Sequence, residues 1–74
     1  MPLSSSLITR SPERLSGEVV FAGTRVPVQA LFDYLEGGDS LSVFLDDFPS
    51  VTREHAVGVL GLAREALEAQ AIPA

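Results

Sequence analysis

The sequence contains no cysteine, no tryptophan and no lysine, and it has a single histidine. Without cysteine no disulfide can cross-link the chain, and one histidine alone does not supply the ligand set of a structural zinc site. No apolar run approaches the roughly 20 residues of a membrane span. Residues 1–6 lack the basic and apolar segments of a secretory signal. We therefore expect a cytoplasmic protein with no disulfide, metal, cofactor or membrane contact.

The chain is also short and acidic. Its 74 residues predict one domain over 1–74, whose own core supplies only about 3–5 kcal/mol. Since disulfides and zinc are excluded, the remaining support is a second copy or a partner, and we expect a homo-oligomer. Ten acidic residues against five arginines give a net charge of −5, which repels phosphate backbones and anionic lipid at long range.

The first part of the chain predicts a β-hairpin over residues 7–21, preceded by a flexible leader at 1–6. Residues 7–9 and 18–21 are short and rich in β-branched side chains, which favours strands. Serine, proline and glycine punctuate residues 11–17, which is typical of a loop. A lone hairpin is marginal in water, so these strands must pack on helices or extend a sheet across a dimer.

Residues 27–70 predict a three-helix unit. Apolar residues recur at i, i+3, i+4 and i+7, which is one face of an α-helix. The stripes are Val28, Leu31, Phe32 and Leu35 in the first helix, Leu41, Phe44, Leu45 and Phe48 in the second, and Ala56, Val59, Leu60, Ala63, Ala66 and Leu67 in the third. The fold class is therefore mainly α with a short N-terminal β-hairpin, and its short turns are those of a helix-turn-helix.

Capping residues set the expected helix ends. Pro27 suits the first turn of the first helix, where its missing N–H costs nothing, and Gly37-Gly38 ends that helix. Asp39 or Ser40 caps the second helix. The third helix starts at Thr52 and runs to about residue 69, ahead of the proline at position 73.

Several segments, taken together, resemble a known family. They are residues 8–12, residue 17, and residues 20–28, 35–40, 48–54 and 63–65, and they span about residues 7 to 66. The family is domain-of-unknown-function family 433, whose members are similar to VapB-type antitoxins. The chain departs from it at Ser11, where the family often has aspartate, and at Val19, where it often has proline. The resemblance implies a homeodomain-like or winged-helix-like fold and, for some members, pairing with a PIN-like nuclease toxin, but it supplies no catalytic residues.

Three residues are candidates for contacts with DNA. The guanidinium of Arg25, in the turn after the hairpin, suits a phosphate or a partner carboxylate, and an internal salt bridge is the alternative. Arg53 and His55 lie in the first turn of the third helix, where a recognition helix meets base edges. A solvated helix start is the alternative for both, because Glu54 between them suits the helix dipole better than it suits DNA.

Four residues are candidates for partner binding. Adjacent helical residues point about 100° apart, so Asp46 and Asp47 do not converge on one metal ion. Both fit a solvated helix face, which Asp33, Glu36 and Asp39 extend into an acidic surface for a basic partner. Gly58 and Gly61 each cost about 1 kcal/mol inside a helix. They predict close approach of another backbone, within or between chains, with tight packing under the hairpin as the alternative.

Three functions compete at this point, and none is enzymatic. The sequence has no nucleophile–base pair, no phosphate-binding glycine loop and no metal-ligand spacing. The first hypothesis is an antitoxin-like protein that neutralises a PIN-like nuclease toxin. The second is a helix-turn-helix transcriptional regulator that binds DNA as a dimer or in complex with the toxin. The third is an oligomerising structural module without a ligand.

Overall fold

The computed structural model describes residues 7–10 and 17–72, and it confirms the predicted order of a two-stranded hairpin followed by three helices. The strands are β1 (Ile8–Arg10) and β2 (Val19–Phe21), and the helices are α1 (Val28–Glu36), α2 (Leu41–Asp47) and α3 (Arg53–Gln70). The predicted leader at 1–6, most of the predicted loop and the proline at 73 lie outside the described residues. No helix in the described part is long and apolar enough to cross a membrane.

Strand β2 lies between two neighbours. On one side it pairs antiparallel with β1, and Ile8 lies opposite Phe21. On the other side the Phe21 N–H donates to the Val26 carbonyl oxygen at 2.9 Å, and Val20 bridges to Pro27. The short strand is thereby hydrogen-bonded on both edges, and the segment that leads into α1 is fixed against it.

The core lies between β2 and the three helices. Its buried members are Phe21, Val26, Leu31, Phe44, Val51, Ala56 and Val59. Phe21, Leu31 and Phe44 are the largest fully buried side chains, and the Phe21 and Phe44 ring centroids are 6.0 Å apart. Because β2, α1 and α2 each contribute one of these three side chains, the hairpin is packed on the helices and does not stand alone in water.

Two of the predicted helix caps are observed, and one is displaced. Ser40 Oγ accepts the Val43 N–H at 3.3 Å, and Thr52 Oγ1 accepts the His55 N–H at 3.1 Å, so α2 and α3 begin where their capping residues predict. Pro27 precedes α1 and does not lie in its first turn, since it is held in an extended conformation by its bridge to Val20. Gly38, with φ of 95°, supplies the left-handed residue that follows α1.

Four residues of the predicted apolar stripes are not part of the core, and one of them, Ala63, is half-buried without packing against the core cluster. Phe32 is half-buried and does not pack against the core cluster, because it lies at the edge of the α1 face that Leu31 defines. Ala66 and Leu67 are exposed, and Leu67 retains 68% of its accessible surface. The prediction that the stripe on α3 is a core face throughout is therefore wrong for Ala66 and Leu67, which lie beyond the part of α3 that the other described residues cover.

Candidate partner-binding surface

The negative charge of the protein is concentrated in one part of the chain. We call residues 26–52, which contain α1 and α2, the acidic segment. It carries Asp33, Glu36, Asp39, Asp46 and Asp47 and no arginine, so its formal charge is −5. The other five acidic residues and the five arginines cancel, which leaves the whole net charge of −5 in this segment. All five carboxylates are exposed.

Tyr34 joins the two acidic helices. Its hydroxyl donates a hydrogen bond of 2.6 Å to Asp47 Oδ2, and its ring packs edge-on against Phe44 and Phe48, with centroid separations of 5.5 and 5.7 Å. The hydrogen bond to Asp47, desolvation, and the charges of Asp47 and Asp39 raise the pKa of Tyr34 above 10.0. Asp39, in the turn between α1 and α2, and Asp47, at the end of α2, therefore both act on the hydroxyl of Tyr34.

This raised pKa gives a titration that can be followed directly, because Tyr34 is the only tyrosine and there is no tryptophan. The folded state holds the tyrosine proton more tightly than the unfolded state does. Its stabilising effect is therefore complete below pH 10.0 and is lost as the pH rises through the folded pKa. Titration followed by the ultraviolet absorbance of tyrosinate should show that Tyr34 ionises at a higher pH than free tyrosine. In the Asp47→Asn variant most of this increase in the pKa of Tyr34 should disappear. A titration identical to that of the parent would contradict the assignment of Asp47 as its main cause.

Asp46 lies in a position that does not favour folding. It is in the last turn of α2, where the helix dipole is negative, and a carboxylate there costs about 0.3–1 kcal/mol at low ionic strength. No hydrogen bond or ion pair connects Asp46 to any other described residue. Its charge is thus available to a cation outside the chain, which would relieve the unfavourable interaction.

The three residues predicted to contact DNA differ in whether their side chains are held by other described residues. Arg25 is exposed and has no hydrogen bond or ion pair with another described residue, so no internal salt bridge accounts for it. Arg53 Nη2 donates to Ser42 Oγ at 3.1 Å, which ties the start of α3 to α2. His55 Nε2 lies 2.7 Å from the Leu7 carbonyl oxygen, and its ring meets Phe21 edge-on at 5.2 Å. These contacts give His55 a structural role that its sequence position did not indicate.

The two helical glycines have different surroundings. A β-carbon on Gly58 would lie 3.0 Å from Leu7 Cδ1, so Gly58 makes room for the residue that precedes β1. This is the alternative considered from the sequence, packing against the hairpin. A β-carbon on Gly61 would have nothing within 4 Å among the described residues. Among residues 7–10 and 17–72, no close approach accounts for Gly61.

Alanine substitutions at these two positions should therefore have opposite outcomes. Gly61→Ala gains helix propensity in open space and should raise the free energy of unfolding by about 1 kcal/mol. Gly58→Ala should give no gain, because its β-carbon would lie 3.0 Å from Leu7 Cδ1 and force that side chain to shift within its packing against the core. Chemical denaturation measures the free energy of unfolding of both variants. When Leu7→Ala has shortened the side chain that Gly58 accommodates, adding Gly58→Ala should be stabilising. A gain from Gly58→Ala in the parent chain would contradict the packing described here.

The described residues show two shallow grooves and no metal cluster. One groove, of about 400 Å³, lies between β2 and α1 and is lined by Val19, Val28 and Phe32 with Glu18 and Gln29. The other, of about 310 Å³, lies beside His55 and is lined also by Leu7, Thr52 and Glu54. Within residues 7–10 and 17–72, no group of three or more histidine, cysteine or carboxylate residues could hold a metal ion.

The chain matches a known protein family over most of its length. Residues 8–63 match the family described as "Protein of unknown function (DUF433)". The chain belongs to this family. No curated protein and no solved structure matches the chain, so the homeodomain-like or winged-helix-like comparison stays a prediction for this DUF433 protein. The match ends at residue 63, which is also the last residue of α3 that is partly buried.

Proposed function

We propose that this DUF433 protein is an antitoxin-like binding protein that neutralises a PIN-like nuclease toxin in the cytoplasm. The observation that carries the proposal is the acidic segment, whose five exposed carboxylates hold the entire net charge of the chain. In this proposal α1 and α2 dock on the basic surface with which the nuclease binds nucleic acid, and they block it.

Electrostatics supports this mode of binding. A nuclease binds phosphate backbones through clustered lysine and arginine side chains, so its binding surface is positive. None of the carboxylates of the acidic segment is in an ion pair with another described residue; the ion pair between Arg64 and Glu68 lies outside that segment. The acidic segment therefore presents uncompensated charge, which accelerates encounter with a basic surface and fixes its orientation.

Co-expression with the protein encoded by the adjacent gene tests the proposal. We expect affinity capture of a stoichiometric complex, a size-exclusion mass equal to its sum, and loss of the neighbour's nuclease activity in the complex. Raising the salt concentration should slow formation of the complex, because the attraction is screened. Failure to bind any neighbouring nuclease, or binding that leaves its activity intact, would reject the antitoxin function.

Binding of DNA by a helix-turn-helix is the second candidate. It is favoured by the free guanidinium of Arg25 and by the position of Arg53 at the start of α3, which follows α2 as a recognition helix would. The carboxylates of Asp46 and Asp47 on α2 oppose it, because they would face the phosphate backbone. A mobility shift with the DNA upstream of the gene, at low salt and with and without the nuclease, decides between these interpretations. No shift in either case would exclude this candidate.

A further inference from the structure

Helix α3 extends beyond the part of the protein that covers it. Its 18 residues correspond to about 27 Å. Residues 58–63 are all at least partly buried, whereas every described residue from Arg64 to Ile72 is exposed. We call residues 64–72 the α3 overhang. Two helical turns without tertiary packing are marginal in water, so this part of α3 lacks the contacts that normally stabilise a helix.

The apolar face of α3 continues into the overhang. At intervals of seven residues, Ala66 and Leu67 follow Val59 and Leu60, and Ala63 follows Ala56, but the next position in that last series is the uncharged polar residue Gln70. Val59 is buried and Leu60 packs against the core, whereas Leu67 is 68% exposed. The overhang thus repeats part of a core-facing pattern at a place where the described residues provide no core.

Charged side chains lie away from this face. At about 100° per residue, Arg64, Glu65 and Glu68 are all more than about 100° from the centre of the face formed by Ala63, Ala66, Leu67 and Gln70. Arg64 Nη1 and Glu68 Oε1 are 3.1 Å apart and satisfy each other. The apolar face of the overhang therefore carries no formal charge, in a protein whose net charge is −5.

We propose that a second copy of this chain covers the overhang, with the two α3 helices paired antiparallel around a two-fold axis near residues 66 and 67. Ala63, Ala66, Leu67 and Gln70 stand at i, i+3, i+4 and i+7, the four corners of a hole that accepts one side chain from a facing helix. Leu67 of one copy fits the hole of the other, where the two alanines leave space for it. The same patch therefore serves both copies, as a two-fold interface requires.

Charge favours a second copy over the basic partner of the acidic segment. A basic surface gains no electrostatic attraction from an uncharged face. Two copies that pair through their uncharged faces keep the carboxylates that carry each copy's net charge of −5 out of the interface. Each copy contributes only about ten residues, over about 15 Å of helix, whereas a standard interface takes about 20–30 residues and about 800 Å² from each partner. The dimer is accordingly a weak one, whose population rises with concentration. This inference does not depend on the antitoxin function.

Sedimentation or light-scattering mass measurements on the full chain over a concentration series test the pairing. The parent chain should move from monomer towards dimer as its concentration rises. Leu67→Glu should weaken dimerisation by about tenfold or more, because it removes apolar burial in both copies. Val57→Glu is the matched control: Val57 is 51% exposed and lies on the opposite side of α3, so this variant should dimerise like the parent.

A parent chain that remains monomeric at millimolar concentration would overturn the proposal, and so would a dimer that Leu67→Glu leaves intact. Equal weakening by Val57→Glu would also overturn it. A monomer that binds the neighbouring nuclease only when Leu67 is present would assign the overhang to that partner instead. Circular dichroism of both variants should match the parent, since both side chains are exposed.

Cysteine cross-linking tests which face of α3 forms the pair independently, because the parent chain has no cysteine. A single cysteine introduced by Ala66→Cys lies near the two-fold axis and should form a disulfide-linked dimer rapidly under mild oxidation. Glu65→Cys places the thiol on the charged side of α3 and should cross-link slowly. Equal rates for the two variants would overturn pairing through the face that contains Ala66 and Leu67.

Discussion

Replacing Phe44 with alanine is expected to leave most of the protein unfolded at room temperature. Phe44 is fully buried, and its ring lies 6.0 Å from Phe21, 5.5 Å from Tyr34 and 5.0 Å from Phe48, measured between centroids. Truncating a buried phenylalanine costs about 3–5 kcal/mol. A core in a chain of this size supplies about the same amount, so little or no net stability remains.

Denaturation followed by circular dichroism measures this effect, and Phe32→Ala is the matched control. Phe32 is half-buried and does not pack against the core cluster, so its truncation should cost about 1 kcal/mol or less. The parent and Phe32→Ala should both show a cooperative transition, and Phe44→Ala should show helix content that is low before denaturant is added. A cooperative transition of Phe44→Ala at the parent midpoint would contradict this description of the core.

The helices were predictable because periodicity and capping act locally. Ser40 and Thr52 cap their helices through backbone N–H groups three residues away, and such contacts can be read from spacing alone. The end of the domain could not be read in this way. Leu67 repeats the position of Leu60 in the pattern, and only the tertiary arrangement distinguishes the exposed residue from the packed one.

The roles of His55 and Gly58 required the structure, because both depend on Leu7, which is distant in sequence. Leu7 accepts the hydrogen bond from His55 across 48 positions and places its side chain against Gly58. No local pattern encodes such a contact. The acidic segment is different, since the absence of any arginine between Arg25 and Arg53 is visible in the sequence. An acidic surface was predicted from these residues, but the prediction did not include the charge balance that leaves the whole net charge in this stretch.

The two proposed surfaces are compatible because they lie on different elements. The acidic segment contains α1 and α2, whereas the overhang is the end of α3. Pairing through the overhang leaves both acidic segments of a dimer exposed. A dimer could then hold two nuclease molecules, or bind a dimeric nuclease with a higher effective affinity than a single segment provides.

Neutralising carboxylates of the acidic segment is expected to slow association with the nuclease by about 10- to 100-fold at low salt. The variant Asp33→Asn, Glu36→Gln, Asp46→Asn removes three exposed charges and leaves the Asp47 bond to Tyr34 in place. It should fold at least as well as the parent, because self-repulsion falls and the unfavourable carboxylate of Asp46 is removed from the end of α2.

The control removes the same number of charges elsewhere, through Glu54→Gln, Glu65→Gln and Glu68→Gln. These residues are exposed, they lie on α3, and the lost ion pair of Glu68 with Arg64 is a surface pair of little energetic value. Both variants have a net charge of −2, since three of the five excess negative charges are gone.

The association rates of the two variants with the nuclease, measured by stopped flow over a salt series, therefore separate the effect of charge position from that of total charge. A slow rate and a flattened salt dependence in the first variant alone would place the contact on α1 and α2, whereas equal effects in both would show that net charge acts without a defined docking face.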